Sequence, residues 1–123
     1  MEIPGQISAE IDKSYLNEEG QVSDLAVEGI AIVRYKYDAL GRQIERVLFD
    51  KNMNAVNAKN SGRGIVRTRY AVGSLLLSES SFDKNGQPVD RLDEHWSTKE
   101  WEYDQERNVK KITLIDKYGK ELH

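Results

Sequence analysis

The sequence predicts an all-β fold, an antiparallel β-meander of tandem hairpin repeats with about seven strands in a single curled or face-packed sheet. Three observations lead there. Residues of like kind recur every 33 positions without insertion: Leu16, Phe49, Phe82 and Ile115 form one column, Asn17, Asp50, Asp83 and Asp116 the next, and Tyr37, Tyr70 and Tyr103 a third. A fixed period of this size marks units that bury an apolar face against their neighbours. Short segments alternate in character, as Val33, Tyr35 and Tyr37 do against Ile32, Arg34 and Lys36, which is the period of a half-buried strand. Tetrads of the D-x-x-G type separate them, such as Asp38 to Gly41, Asp83 to Gly86 and Asp116 to Gly119. The Asp side chain accepts from the backbone two residues on and the Gly takes φ > 0, which suits a type I turn with a G1 bulge.

Taken in order, the chain is one domain with a partial repeat at 1–29 and repeats at 30–62, 63–95 and 96–123. In the partial copy, Ile7 to Leu16 corresponds to the second strand of the later units and Asn17 to Gly20 to their turn. Pro4 stands in the tyrosine column. A proline there has no N–H for a central ladder, so the sheet is expected to begin after it.

Each full copy opens on a strand, Ile32 to Tyr37 in the first of them, with its aromatic side toward the core and its charged side toward water. A second strand follows at Gln43 to Phe49, with equivalents at Leu75 to Phe82 and Val109 to Ile115. Ile44 and Leu48 fall on one face and Val47 and Phe49 on the other, which implies a bulge or cover on both sides. Polar segments from Asn54 to Arg63 and from Gln87 to Glu94 form the longer connections. Successive strands joined by tight hairpins are neighbours in the sheet, so the outer strands are expected near Ile11 and Ile112. Lys13, Lys110 and Lys111 would there discourage edge-to-edge growth.

Departures from the pattern sit in the turns. Met53 occupies a glycine column, where a side chain costs about 1 kcal/mol; Asn52 or Asn54 is expected to take the left-handed conformation in its place. The turn Ala71 to Ser74 has its glycine one residue early and Asp104 to Asn108 has none, a drift that a hairpin tip tolerates.

Composition narrows the function. Of 123 residues only 38% are hydrophobic and 32% are charged, which suits a thin β layer rather than a three-layer enzyme. The net charge of -3 offers no drive toward phosphate backbones, so no nucleic-acid partner is expected. The absence of cysteine removes disulfides and thiolate chemistry and leaves the compartment open. There is no apolar run of membrane-spanning length, so no membrane insertion is expected, and the first residues lack the pattern of a signal peptide.

No catalytic, cofactor-binding or metal-binding residues are expected. The Asp50 to Asn54 segment lacks the alternate carboxylates and distal bidentate Glu of a calcium loop. His95 and His123 are far apart, and the serines at 74, 78, 80 and 81 have no histidine in a nucleophile context. An enzyme would rest only on the general possibility that carboxylates such as Asp104 and Glu106 meet in a cleft, with no base, metal set or phosphate loop beside them. Two sets are candidates for an interaction surface. Arg34, Lys36, Arg67 and Arg69 share the polar side of two strands, where cross-strand ion pairing with Glu45, Glu79, Glu100 or Glu102 competes with docking of a protein partner. Trp96 and Trp101, with the strand tyrosines, are either core or a platform for a sugar or peptide.

The segment Tyr37-Asp38-Ala39-Leu40-Gly41-Arg42 resembles the YD repeats of the rearrangement-hotspot (Rhs) and teneurin-like families. With Phe82-Asp83-Lys84-Asn85-Gly86-Gln87-Pro88-Val89, the chain from about 7 to 122 is still more similar to bacterial tandem repeats that pair a Y-D-x-x-G half with an F-D-x-x-G-x-P-V half. The resemblance implies a β-hairpin array of a kind found in bacterial surface, secreted or toxin-associated proteins. In the Rhs type many repeats coil into a shell around a toxin, which three and a half units cannot do, and neither an autoprotease motif nor a toxin domain follows. It therefore implies an architecture and no catalytic residues. A non-catalytic module for protein-protein interaction or a structural role is expected, with a protein or a second copy as partner through the Tyr37, Tyr70 and Tyr103 column. A glycan- or peptide-binding module is the alternative.

Overall fold

The computed structural model describes residues 7–21, 23 and 29–123; Pro4 lies outside them. Eight strands follow one another in a single antiparallel sheet whose spatial order is their chain order. They are β1 (Ala9–Ser14), β2 (Ile32–Tyr37), β3 (Gln43–Phe49), β4 (Ile65–Tyr70), β5 (Leu76–Phe82), β6 (Thr98–Tyr103), β7 (Val109–Ile115) and β8 (Glu121–Leu122). The expected meander is thus present, with one strand more than anticipated. β8 is two residues long and pairs only with Leu114 and Ile115. Too short to show alternation, it is invisible to a periodicity argument. The first strand is also shorter than the expected Ile7 to Leu16, although the Tyr15 N–H, donating to the Ala31 carbonyl, carries its ladder with β2 one residue further.

Strands in equivalent positions begin 33 residues apart: β2, β4 and β6 at 32, 65 and 98, and β3, β5 and β7 at 43, 76 and 109. Each hairpin carries the same register shift one residue before its turn, at Lys36/Tyr37, Arg69/Tyr70 and Glu102/Tyr103. That bulge is what the turn chemistry asks for. Gly41 N–H donates to the Asp38 carbonyl and Asp38 N–H to the Arg42 carbonyl, both at 3.0 Å. The Asp38 side chain accepts from the N–H groups of Leu40 and Arg42 at 3.0 Å each. The same double cap is made by Asn17, Asp50, Asp83, Asp104 and Asp116. Ala71 keeps the backbone bonds of the turn without a side-chain cap.

One expectation about these turns is corrected. Met53 itself is left-handed, at φ 65°, so its neighbours do not relieve it. At 71–74 and 104–107, where the sequence departs from the pattern, the left-handed position is kept. Ser74 and Arg107 hold φ of 65° and 67° at the glycine position, in step with Gly41 at 78°. The early glycine is itself left-handed, at φ 82°, so this turn carries two left-handed residues in succession. Arg107 lays its guanidinium over Gly73 and donates to its carbonyl at 2.9 Å, where a Cβ on residue 73 would collide with it.

The two faces of the sheet differ. Val33, Leu48, Ile44 and Val66 are buried on one of them, and the connection after β3 folds back over it, seating Val56 and Ala58 against Ile30, Val33 and Leu48. We call this the connector face. The chain's own connection thus covers the part of this face around Ile30, Val33 and Leu48, while Ile11 and Ile112 on the same face stay about half exposed. The opposite face carries Arg34, Lys36, Glu45 and Arg67, with Phe49 and Phe82 half-buried beneath guanidinium groups. Ile115 is half-buried in the same column, which accounts for apolar residues on both sides of the second strand.

The hairpins are tied to one another by side chains as well as by the ladder. The Tyr70 hydroxyl donates to the Gln43 carbonyl at 2.7 Å, and the Tyr103 hydroxyl to that of Leu76 at 2.5 Å. Between the connections, Lys84 N–H donates to Asn57 and Lys117 N–H to Asp90, each at 2.7 Å. The tyrosine column expected to be core is half-buried and spans the seam between units.

Candidate functional site

The basic residues singled out from sequence stand on one face, where strand register brings carboxylates opposite them. Asp12 faces Arg34 and Glu45 faces Arg67 in pairs of the same kind. Arg34 Nε lies 2.9 Å from Asp12 Oδ1 and 3.1 Å from Glu10 Oε1. Glu45 is shared, at 2.9 Å from Lys36 Nζ and 3.1 Å from Arg67 Nε. Hydrogen bonding by Arg34 holds the Asp12 carboxyl below its ordinary pKa. Burial pushes Glu45 up, and the hydrogen bonds and charges of Lys36 and Arg67 outweigh it, so its pKa also lies low. Arg34 and Arg67 stack over Phe49 and Phe82 with 4.9 and 4.6 Å from guanidinium carbon to ring centre. Arg69 is exposed on the same face.

The tryptophans are not beside them. Trp96 lies in the connection before β6, only 3% exposed, with Arg91 5.2 Å from its ring centre and its Nε1–H donating to Glu94 at 3.2 Å. Trp101 is half-buried on the connector face, with Lys99 Nζ 5.3 Å from its ring. The six residues therefore divide between two faces and a loop. Buried Trp96 offers no open ring for a sugar to stack on.

A cluster that sequence reasoning missed lies under the second connection. Arg63, 9% exposed, sends one guanidinium nitrogen 3.0 Å from Glu79 Oε2, and Arg91 approaches the same oxygen at 3.9 Å. Arg91 also grips Asp93 with two bonds of 2.7 Å and reaches Glu94 at 2.9 Å. Burial and the nearby Arg91 and Arg46 charges depress the Arg63 pKa, opposed by Glu79. Among the described residues, Arg46 Nε, Arg63 Nε and Ser81 Oγ are buried with no hydrogen-bond partner.

The signal was present in the columns. Where the preceding unit places Ile30, Leu48 and Ala58, this one places Arg63, Ser81 and Arg91, so an apolar cluster gives way to a polar one in the same space. Among the described residues, no group of three or more His, Cys, Asp or Glu could hold a metal ion. Comparison of the chain with family models, curated proteins and solved structures returns no match.

Proposed function

We propose that this chain is a non-catalytic β-repeat module of the YD-repeat, Rhs-like type that presents its sheet to another protein, as an interaction unit or a structural segment of a bacterial surface or toxin-associated assembly. The observation that carries this reading is where the conspicuous polar groups go. The aspartate columns cap turns, the tyrosine hydroxyls span seams, and the arginines of the charged face pair with cross-strand carboxylates. Such groups position backbone and leave a flat, patterned surface, which recognises by shape and charge complementarity. Stacking of a glycan on the tryptophans is the weaker reading, since Trp96 is covered by Arg91 and Trp101 lies on the other side of the sheet from the basic set.

The test is capture from the source organism with the immobilised chain, beside a charge-reversed variant carrying Arg67→Glu and Arg69→Glu. The expected result is one protein retained in near-stoichiometric amount by the native chain and lost by the variant, with unchanged circular dichroism in both. A binder that is a glycan, or a partner retained equally by the variant, would contradict it. Light scattering over a dilution series tests self-association in the same preparation.

A further inference from the structure

From the difference between successive repeats we propose that a hollow on the connector face, walled by Ile30, Val33, Leu48 and Ala58 with Arg46 beside them, binds a small carboxylic acid. Its carboxylate would meet the Arg46 guanidinium and its apolar body the aliphatic walls. This goes beyond the interaction reading, since the site lies on the face opposite the basic set and takes a small molecule.

The hollow owes its existence to what three columns hold. Under the second connection the space lies over Glu79, and two arginines fill it, Arg63 at 3.0 Å and Arg91 at 3.9 Å from the same carboxylate oxygen. One period earlier those columns hold Ile30 for Arg63, Ala58 for Arg91 and Arg46 for Glu79. Two long side chains thus become a shorter one and a methyl group. The volume they would occupy is present under the first connection as a hollow of about 220 Å³.

Its lining is held in place before any ligand arrives. Ala58 N–H donates to the Arg63 carbonyl at 2.9 Å and Gly62 N–H to the Ala58 carbonyl at 2.7 Å, while the ladder sets Arg46 between Tyr35 and Val66. Little ordering entropy is therefore lost on binding.

Charge selects what enters. The change from Glu79 to Arg46 inverts the sign at this position, and no carboxylate accompanies it. Among the described residues Arg46 takes part in no ion pair, and its Nε is buried with no hydrogen-bond partner. The lining includes no Asp or Glu, and Lys13 adds a second cation, its Nζ 5.2 Å from the ring centre of Tyr35 in the wall. A guanidinium set among apolar groups without an acceptor is matched by a carboxylate, whose two oxygens fit its fork. The rest of the lining is aliphatic and aromatic, as in pockets that hold an apolar body by one or two polar anchors. At roughly 30 Å³ for one water in the liquid, the hollow has the bulk of about seven waters, room for one ring or a short chain.

The test uses the full chain, with benzoate as probe and benzyl alcohol as its uncharged counterpart, followed by nuclear magnetic resonance through the methyl signals of Ile30, Val33, Leu48 and Ala58. Benzoate is expected to shift them saturably with a Kd on the order of 1 mM, and benzyl alcohol to bind about tenfold more weakly. Arg46→Met keeps the length, removes the charge and should erase the difference between the two probes. Ala58→Leu, which puts a branched side chain into the hollow, should abolish binding of both. No saturable shift with benzoate, equal affinities in the native chain, a preference for benzoate that persists in Arg46→Met, or undiminished binding in a folded Ala58→Leu would overturn the proposal. Should Ala58→Leu fail to fold, the two probes on the native chain and on Arg46→Met decide. Either result leaves the interaction reading standing, because that reading rests on the opposite face.

Discussion

Met53 holds a left-handed backbone conformation at φ 65° with a side chain that gains nothing from it, being 46% exposed. Met53→Gly should therefore stabilise the chain by about 1 kcal/mol, read as a higher urea midpoint with unchanged slope; a lower midpoint would show the side chain to be useful. Ala71 is the converse case. Its turn has the backbone bonds but lacks the carboxylate that caps the others, so Ala71→Asp should add about 1 kcal/mol in the same assay. Asp38 shows the pH dependence that such caps bring. Burial pushes its carboxyl up, yet the Arg42 backbone and guanidinium and the Leu40 N–H hold its pKa below the ordinary value. A depressed folded pKa means stability fully present above the unfolded value of about 3.9 and lost as pH falls through the folded one. Stability should be flat near neutrality and fall below about pH 4, with a smaller acid loss in Asp38→Asn.

At the scale of strands and connections, two kinds of ion pair should behave differently. Arg67 is half exposed, and its pair with Glu45 sits in solvent screening, so Arg67→Ala should cost less than about 1 kcal/mol. Glu79 faces Arg63 beneath the connection. Its removal leaves a buried guanidinium uncompensated, and Glu79→Ala should cost about 2 kcal/mol, the usual figure being reduced by the partial exposure of Glu79. Equal losses in the two variants by urea denaturation would show that burial does not set the difference. This contrast also marks what could be read in advance. Strand limits such as Ile32 to Tyr37 and Gln43 to Phe49 follow from alternation between turn residues, and both match. The conformations of Ser74 and Arg107 were not legible, because neighbouring strands impose φ > 0 on residues that do not favour it. The Arg63 and Glu79 cluster was legible in part, since the columns put Arg63, Ser81 and Arg91 where the preceding unit has Ile30, Leu48 and Ala58, whereas the approach of Arg91 to Glu79 arises only when the connection folds back.

For the molecule as a whole, the governing fact is an open sheet in which seams between hairpins repeat one register. The cross-seam ion pairs and tyrosine straps depend on that register, and a slip of one residue would send every side chain to the other face. Cross-strand nuclear Overhauser spectroscopy reports the register directly, since non-hydrogen-bonded antiparallel pairs bring their α-protons close together. Strong α-proton cross-peaks are predicted for Asp12 with Arg34, Glu45 with Arg67 and Ser78 with Glu100, the three seam pairs. Cross-peaks offset by one residue, or absent at the seams while present within the hairpins, would contradict the account.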